Sequence, residues 1–206
     1  MAMKKKSLPN PPGRPRKFVE EEALDAAVAV FADKGYEGAS LDDLTGAMGI
    51  NRVSMYATFG NKEALFRKAM ERFSTVQGKH LATCLSAPTA REAVESVLRT
   101  IVTVITRPDG PGVCFITQPP LTAEDTSEET RRFCALRRKD IERGLQRRLE
   151  QGIKAKELRR GASAEDLARY YALLVQGFAL QAQHGATKDQ LMRVVDIAMT
   201  AFPKSK

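Results

Sequence analysis

Between residues 51 and 58 stand Asn51, Arg52, Ser54, Tyr56 and Thr58, five side chains that donate or accept hydrogen bonds. The sequence sets no catalytic companions beside them, so the chemistry they offer is recognition by hydrogen bonding and charge. A helix fits the major groove of B-DNA, where each base pair displays its own pattern of donors and acceptors. Residues of these types on the outer face of one short helix suit that pattern and the flanking phosphates. So short a rod does not hold its own position; a preceding helix has to set its angle against the duplex.

The neighbouring sequence supplies those supports. Ser40 is a helix-capping residue with Asp43 at capping-box spacing, and Asp42 and Asp43 suit the positive end of a helix dipole. Gly49 ends that helix, Asn51 caps the next, Gly60 closes it, and Asn61 caps a longer helix from Lys62 to about Cys84. Leu41, Leu44, Ala47, Ile50, Val53 and Phe59 are expected to pack inward. Their partner is a first helix over residues 16–34 that carries Phe18, Leu24, Ala27, Val28, Val30 and Phe31 and stops at Gly35. Beyond Pro88 the periodicity predicts helices over 89–106, 123–154, 164–184 and 187–201, with a connection at 155–163. The stretch 107–122, with four prolines and two glycines, is expected to be a loop. The 206 residues lack Trp and are rich in Ala, Leu, Glu, Arg and Lys. The fold class is therefore all-α: an N-terminal three-helix helix-turn-helix domain, then a C-terminal helical domain.

The segment FADKGYEGASLDDLTGAMGINRVSMYATFGNKEALF resembles the N-terminal domain of the TetR/AcrR family of transcriptional repressors. Phe31, Gly35, Tyr36, Ser40, Ala47, Gly49, Tyr56, Phe59, Lys62, Leu65 and Phe66 carry the match, and with GRPRKF ahead of it the segment is similar to the ComR/AcrR-like branch. The specific likeness spans residues 16–66; the rest is similar in length and helical layout. The resemblance implies that Arg52, Val53 and Ser54 read bases, with Val53 against a thymine methyl group. It sets Tyr56 on a backbone phosphate and Lys62 where charge and helix dipole together attract another. Ser40 and Thr45 fall near the backbone contact of the preceding helix, and Asn51 and Thr58 complete the polar face. Val53 and Met55 stand where many relatives carry Gly, Pro or hydroxyl residues.

The resemblance also implies double-stranded DNA with a palindromic operator, a homodimer, a small-molecule effector and no cofactor. The effector cavity would lie among the central helices, lined by Val102, Ile105, Cys114, Phe115, Phe133, Arg137 and Phe178. The wide apolar stripes of the last two helices suggest half of a four-helix interface through Leu167, Tyr171, Leu174, Phe178, Leu191, Val195 and Ala198, with Gly177 permitting close approach. The expected division is an arm over 1–15, a DNA-binding domain over 16–62 and a ligand and dimer domain over 63–206.

Charge and cysteine usage bound the alternatives. The net charge is +8, unevenly spread: residues 1–17 hold six Lys or Arg and no acid, residues 18–50 one Lys against eight acids, and residues 51–80 six bases against two acids. Two basic islands around an acidic stretch fit a binding face built from the arm and residues 51–80. Arg14 and Arg16 flank Pro15 in a form that lies readily in a narrow minor groove. Cys84, Cys114 and Cys134 are too far apart for a CxxC pair, and with only His80 and His184 a zinc site is not expected. They read as small core residues, with redox sensing at Cys114 as the alternative. The arginines from Arg131 to Arg148 read as a solvated helix face, apart from Arg137 or Arg138 turning to an anionic ligand. No apolar run is long enough for a membrane span, and the basic start lacks the apolar stretch of a secretory signal, so a cytoplasmic protein is expected. An enzyme would need a nucleophile–base arrangement, a phosphate-binding glycine loop or a metal cluster, and none stands in the sequence. An architectural or RNA-binding protein remains the second alternative, distinguished by affinity without preference for inverted repeats.

Overall fold

The structure is a computed structural model that describes residues 19–107 and 127–205, without the side chains of Cys134, Arg137 and Arg138. The expected arm with Arg14 and Arg16, the loop residues Cys114 and Phe115, and the side chain of Arg137 lie outside the described residues. The helices are α1 (Glu20–Gly38), α2 (Leu41–Met48), α3 (Arg52–Phe59), α4 (Lys62–Leu85), α5 (Ala90–Ile105), α6 (Glu128–Lys154), α7 (Ala164–Gln183) and α8 (Lys188–Thr200). Among the described residues the one extended pairing is an isolated antiparallel bridge between Leu158 and Lys204. The starts of α2, α3 and α4 follow the capping residues read from the sequence, Ser40, Asn51 and Asn61, whereas the first helix runs past its expected stop at Gly35 to Gly38. Gly35 interrupts α1 with a φ of 72° and a ψ of 175°, and its carbonyl then accepts from the Ala39 N–H.

Two apolar cores share α4. The head core joins Ala27, Phe31 and Ala32 of α1, Leu44 and Met48 of α2, Met55 and Phe59 of α3, and Leu65, Phe66, Met70 and Phe73 of α4. The body core joins Cys84 at the far end of α4 to α5, Leu145 and Leu149 of α6, α7 and α8. The expected division before residue 63 thus falls at the start of a helix that serves both cores. Phe31, Tyr36 and Phe66 meet as an aromatic group, Phe66 edge-on to Phe31 at a centroid distance of 5.1 Å. Arg72 clamps α4 to α1, its Nε and Nη2 donating to the Asp25 carboxylate at 2.9 Å each and its Nη1 to Glu21 at 3.0 Å.

At the opposite end of the body the chain is tied together. The Glu157 carboxylate accepts from the Ala90 N–H at the start of α5. Arg148 reaches the Ala87 and Pro88 carbonyls at 3.3 and 3.1 Å and lies 3.5 Å from Glu157. Arg148 is therefore buried, which corrects its reading as part of a solvated face: its guanidinium satisfies carbonyls at the α4–α5 connection. The Arg159 N–H donates to the Pro203 carbonyl, holding the chain end to the same region.

Two further expectations change. Tyr171, Phe178, Leu191, Val195 and Ala198 are buried in the body core of their own chain, and Leu167 and Leu174 pack half-buried against it, so this stripe faces inward. The outward apolar residues of the same helices are Tyr170, Leu173, Leu180, Val194 and Ile197, with Leu173 60% and Ile197 68% exposed. Gly177 lies in this row with open space beyond it. Phe133 does not join Val102, Ile105 and Phe178, which share the body core; it packs against the head core. It does so because the first turns of α6 dock on α4.

Candidate nucleic-acid interface

The geometry of α3 begins with its capping groups. The Asp43 N–H donates to Ser40 Oγ at 3.1 Å while the Ser40 N–H donates to Asp43 Oδ2 at 3.0 Å, completing the capping box of α2. Lys34 donates to Asp43 Oδ1 at 2.6 Å, and this bond with those from Ser40 holds the Asp43 pKa down at about 2. Gly49 turns the chain with a φ of 64° and a ψ of 26°, a left-handed conformation that favours glycine. The Ile50 N–H then reaches back to the Thr45 carbonyl. Asn51 Oδ1 accepts from the Ser54 N–H at 2.8 Å, starting α3 at once after the turn. One helix later Asn61 Oδ1 accepts from the Ala64 N–H at 2.8 Å and starts α4.

This frame sets which side of α3 is free. Met55 and Phe59 are buried, so Arg52, Val53 and Tyr56 face outward, and Val53 is 78% exposed. Val53 is thus not one of the inward residues; Met55 takes that place, two positions along the helix. Ala47 is likewise exposed, while Thr45 and Met48 fill the inner side of α2. Ser54 and Thr58 are half-buried flanks of the outward face. The hydroxyl of Thr45 donates to the Leu41 carbonyl at 2.8 Å, which turns it away from the surface and from the phosphate contact expected of it. Ser40 stays exposed at the head of α2 with its hydroxyl donating to Asp43 at 2.6 Å. Arg52 donates to Asp42 Oδ1 from Nη2 at 2.8 Å and from Nε at 3.2 Å.

Lys62 opens α4 beside this face. Its Nζ sits 4.7 Å from the Tyr36 ring centroid and donates to the Glu37 carbonyl at 3.3 Å. Partial burial there lowers its pKa. The next residue, Glu63, points to α6: its carboxylate accepts from the Ser127 N–H, the Ser127 hydroxyl and the Thr130 hydroxyl. These bonds, Ser127 first, lower the Glu63 pKa. Thr130 is fully buried, and Arg67 pairs with Glu129 at 2.7 Å across the same junction. No local signal marks this contact in the sequence, since its two sides are separated by more than sixty positions.

The family model for bacterial regulatory proteins of the tetR family matches residues 23–69, which contain α2, α3 and the start of α4. Over 194 residues the chain is 30% identical to the HTH-type transcriptional repressor ComR of Escherichia coli (strain K12), covering 93% of this chain and 92% of ComR. The chain belongs to the TetR family. It is also 30% identical over 197 residues to the HTH-type regulator YezE of Bacillus subtilis (strain 168), covering 92% and 99% of the two. Among solved structures, the TetR-family regulator CifR, as a cysteine mutant with a 26-bp double-strand operator DNA, superposes with a TM-score of 0.87. CifR is 37% identical, with 92% of this chain and all of that one covered. This TetR-family chain is a DNA-binding transcriptional regulator, and its outward α3 face lies inside the matched segment.

Proposed function

We propose that this regulator acts in the cytoplasm as a homodimeric repressor that binds a palindromic operator and lets go when a small molecule binds its body. The observation that carries the reading is the split of α3 into an anchored side, Met55 and Phe59, and a free side, Arg52, Val53 and Tyr56. On this reading Arg52 and Val53 meet base edges from the major groove. Tyr56 and Lys62 hold phosphates, with Ser54, Asn51 and Thr58 at the rim and Arg14 and Arg16 following the neighbouring minor groove. The CifR complex with operator DNA supports it by likeness of sequence and fold.

The second half of the reading concerns assembly and release. Tyr170, Leu173 and Leu180 on α7 and Val194 and Ile197 on α8 are exposed apolar residues on two successive helices, the form that two copies bury as a four-helix contact. Two-fold pairing sets two α3 faces about one DNA turn apart, about 34–36 Å. An effector among Val102, Ile105 and Phe178 shifts the balance between two arrangements of the body. The Glu63 contact with Ser127 and Thr130 then carries that shift to the head.

Selection of bound duplexes from a random pool tests the first half. The expected product is an inverted repeat with half-sites about ten base pairs apart. Enrichment of single, unpaired sites or of no sequence at all overturns the dimeric operator reading. A screen for small molecules that release the selected duplex then tests the second half.

A further inference from the structure

Two acids stand side by side at the start of α2, and only one is used by the fold. Asp43 closes the capping box and binds Lys34. Asp42 makes no such contact; its side chain is 77% exposed and its ion pair with Arg52 joins two exposed groups across the helix-turn-helix. An exposed pair of this kind contributes at most about 1 kcal/mol to folding. Its position is the anomaly, because a carboxylate beside a DNA-reading arginine repels every phosphate that approaches.

The geometry points to Asp42 as a specificity-determining residue that positions Arg52 for a guanine and raises the cost of binding the wrong DNA. This rests on the reading of α3 as the base-reading helix. Arg52 Nε and Nη2 both converge on Asp42 Oδ1, at 3.2 and 2.8 Å. That leaves the Nη1–Nη2 end of the planar guanidinium pointing away from the carboxylate. Guanine presents O6 and N7 in the major groove, and an arginine takes both with two parallel N–H bonds. A guanidinium already held along one edge presents the other in a fixed plane and loses less rotamer freedom on contact. Asp42 Oδ2 makes no hydrogen bond to the described residues and is an acceptor for a cytosine N4 amine. A G·C pair in the right place therefore compensates the carboxylate, whereas a random stretch of phosphates does not. The same charge acts as a penalty on unselected duplexes and as a guide on the selected one.

The test compares wild type, Asp42→Asn, Arg52→Ala and the double variant. Each is titrated with the duplex selected from a random pool by the wild-type protein, with the same duplex carrying A·T at its preferred G·C pair, and with a scrambled duplex. The near-isosteric, exposed Asp42→Asn change is expected to leave the thermal midpoint in place. It should tighten binding to the scrambled duplex and reduce discrimination against the A·T duplex by about tenfold, within the range of one bidentate base contact. In the Arg52→Ala background the same change should no longer alter discrimination. If Asp42→Asn keeps full discrimination while Arg52→Ala loses it, Asp42 has no guiding role and the proposal falls alone. If Arg52→Ala keeps it too, the base-reading assignment of Arg52 falls, and the role of Asp42 with it.

Discussion

The outward faces of α3 and of α7–α8 both expose apolar side chains, yet they are built for different surroundings. On α3 the exposed Val53 stands between Arg52 and Tyr56, so an apolar contact is framed by groups that bond to bases and phosphates. On α7 and α8, Leu173, Leu180, Val194 and Ile197 are exposed at helical spacing, an apolar row on each of the two helices. Exposure of a hydrophobic residue thus has no fixed meaning. Its neighbours decide whether the surface is to meet a polar, charged groove or a second apolar face.

Single substitutions on each face separate these roles. Met55→Ala should cost about 2–5 kcal/mol in chemical denaturation, because it empties the buried side of α3, whereas Val53→Ala should stay within about 0.5 kcal/mol. Equal losses at the two positions would erase the division of α3 into anchored and free sides. Leu173→Arg should weaken self-association by roughly 100-fold, about 3 kcal/mol, in sedimentation experiments while helical content is kept. A dimer that survives it uses some other surface. Tyr171→Phe probes the inner side of α7, where the hydroxyl has no hydrogen-bond partner among the described residues and burial pushes its pKa up to about 12. Removing that hydroxyl should raise stability by about 1 kcal/mol; a loss of similar size would show a partner in solution. Lys62→Ala is expected to lower the slope of log affinity against log salt by about one unit without changing sequence preference. An unchanged slope would detach Lys62 from the phosphates.

Acid sharpens the contrast between head frame and head surface. The folded-state pKa of Asp43 is depressed to about 2 from an ordinary 3.8. Its contribution to stability is therefore complete above pH 4 and is lost as pH falls from about 4 toward about 2. Asp43→Asn should flatten the pH dependence of the thermal midpoint in that window. If the wild-type and variant curves stay parallel there, the capping carboxylate is not what acid removes.

What could be read from the sequence was what short-range chemistry decides. Ser40, Asn51 and Asn61 cap their helices, and Gly49 takes the left-handed turn, because each needs only neighbours within a few positions. Orientation about a helix axis was harder. Met55 rather than Val53 points inward, and two positions on a short helix move a residue across to the other side. On α7 the apolar stripe is wider than one buried face, so periodicity named the helix as an interface but did not separate Tyr171, which is buried, from Tyr170, which is not. Phe133 and Glu63 lay beyond reach for a different reason: their partners are set by how α6 returns to the head, a distance in sequence that no local signal spans.

The bonds gathered on Arg148 and Glu157 have a mechanical consequence. They fasten one end of α6 to the α4–α5 junction, so a tilt of the helix about that end would displace the other end most. From Arg148 back to Thr130 the helix measures about 27 Å at 1.5 Å per residue, so a tilt of about 5° sweeps the tip through roughly 2 Å. That is more than the carboxylate of Glu63 tolerates before its hydrogen bonds break. On the proposed reading, a slight swing of one rod would break the Glu63 contacts beside the lysine that opens α4.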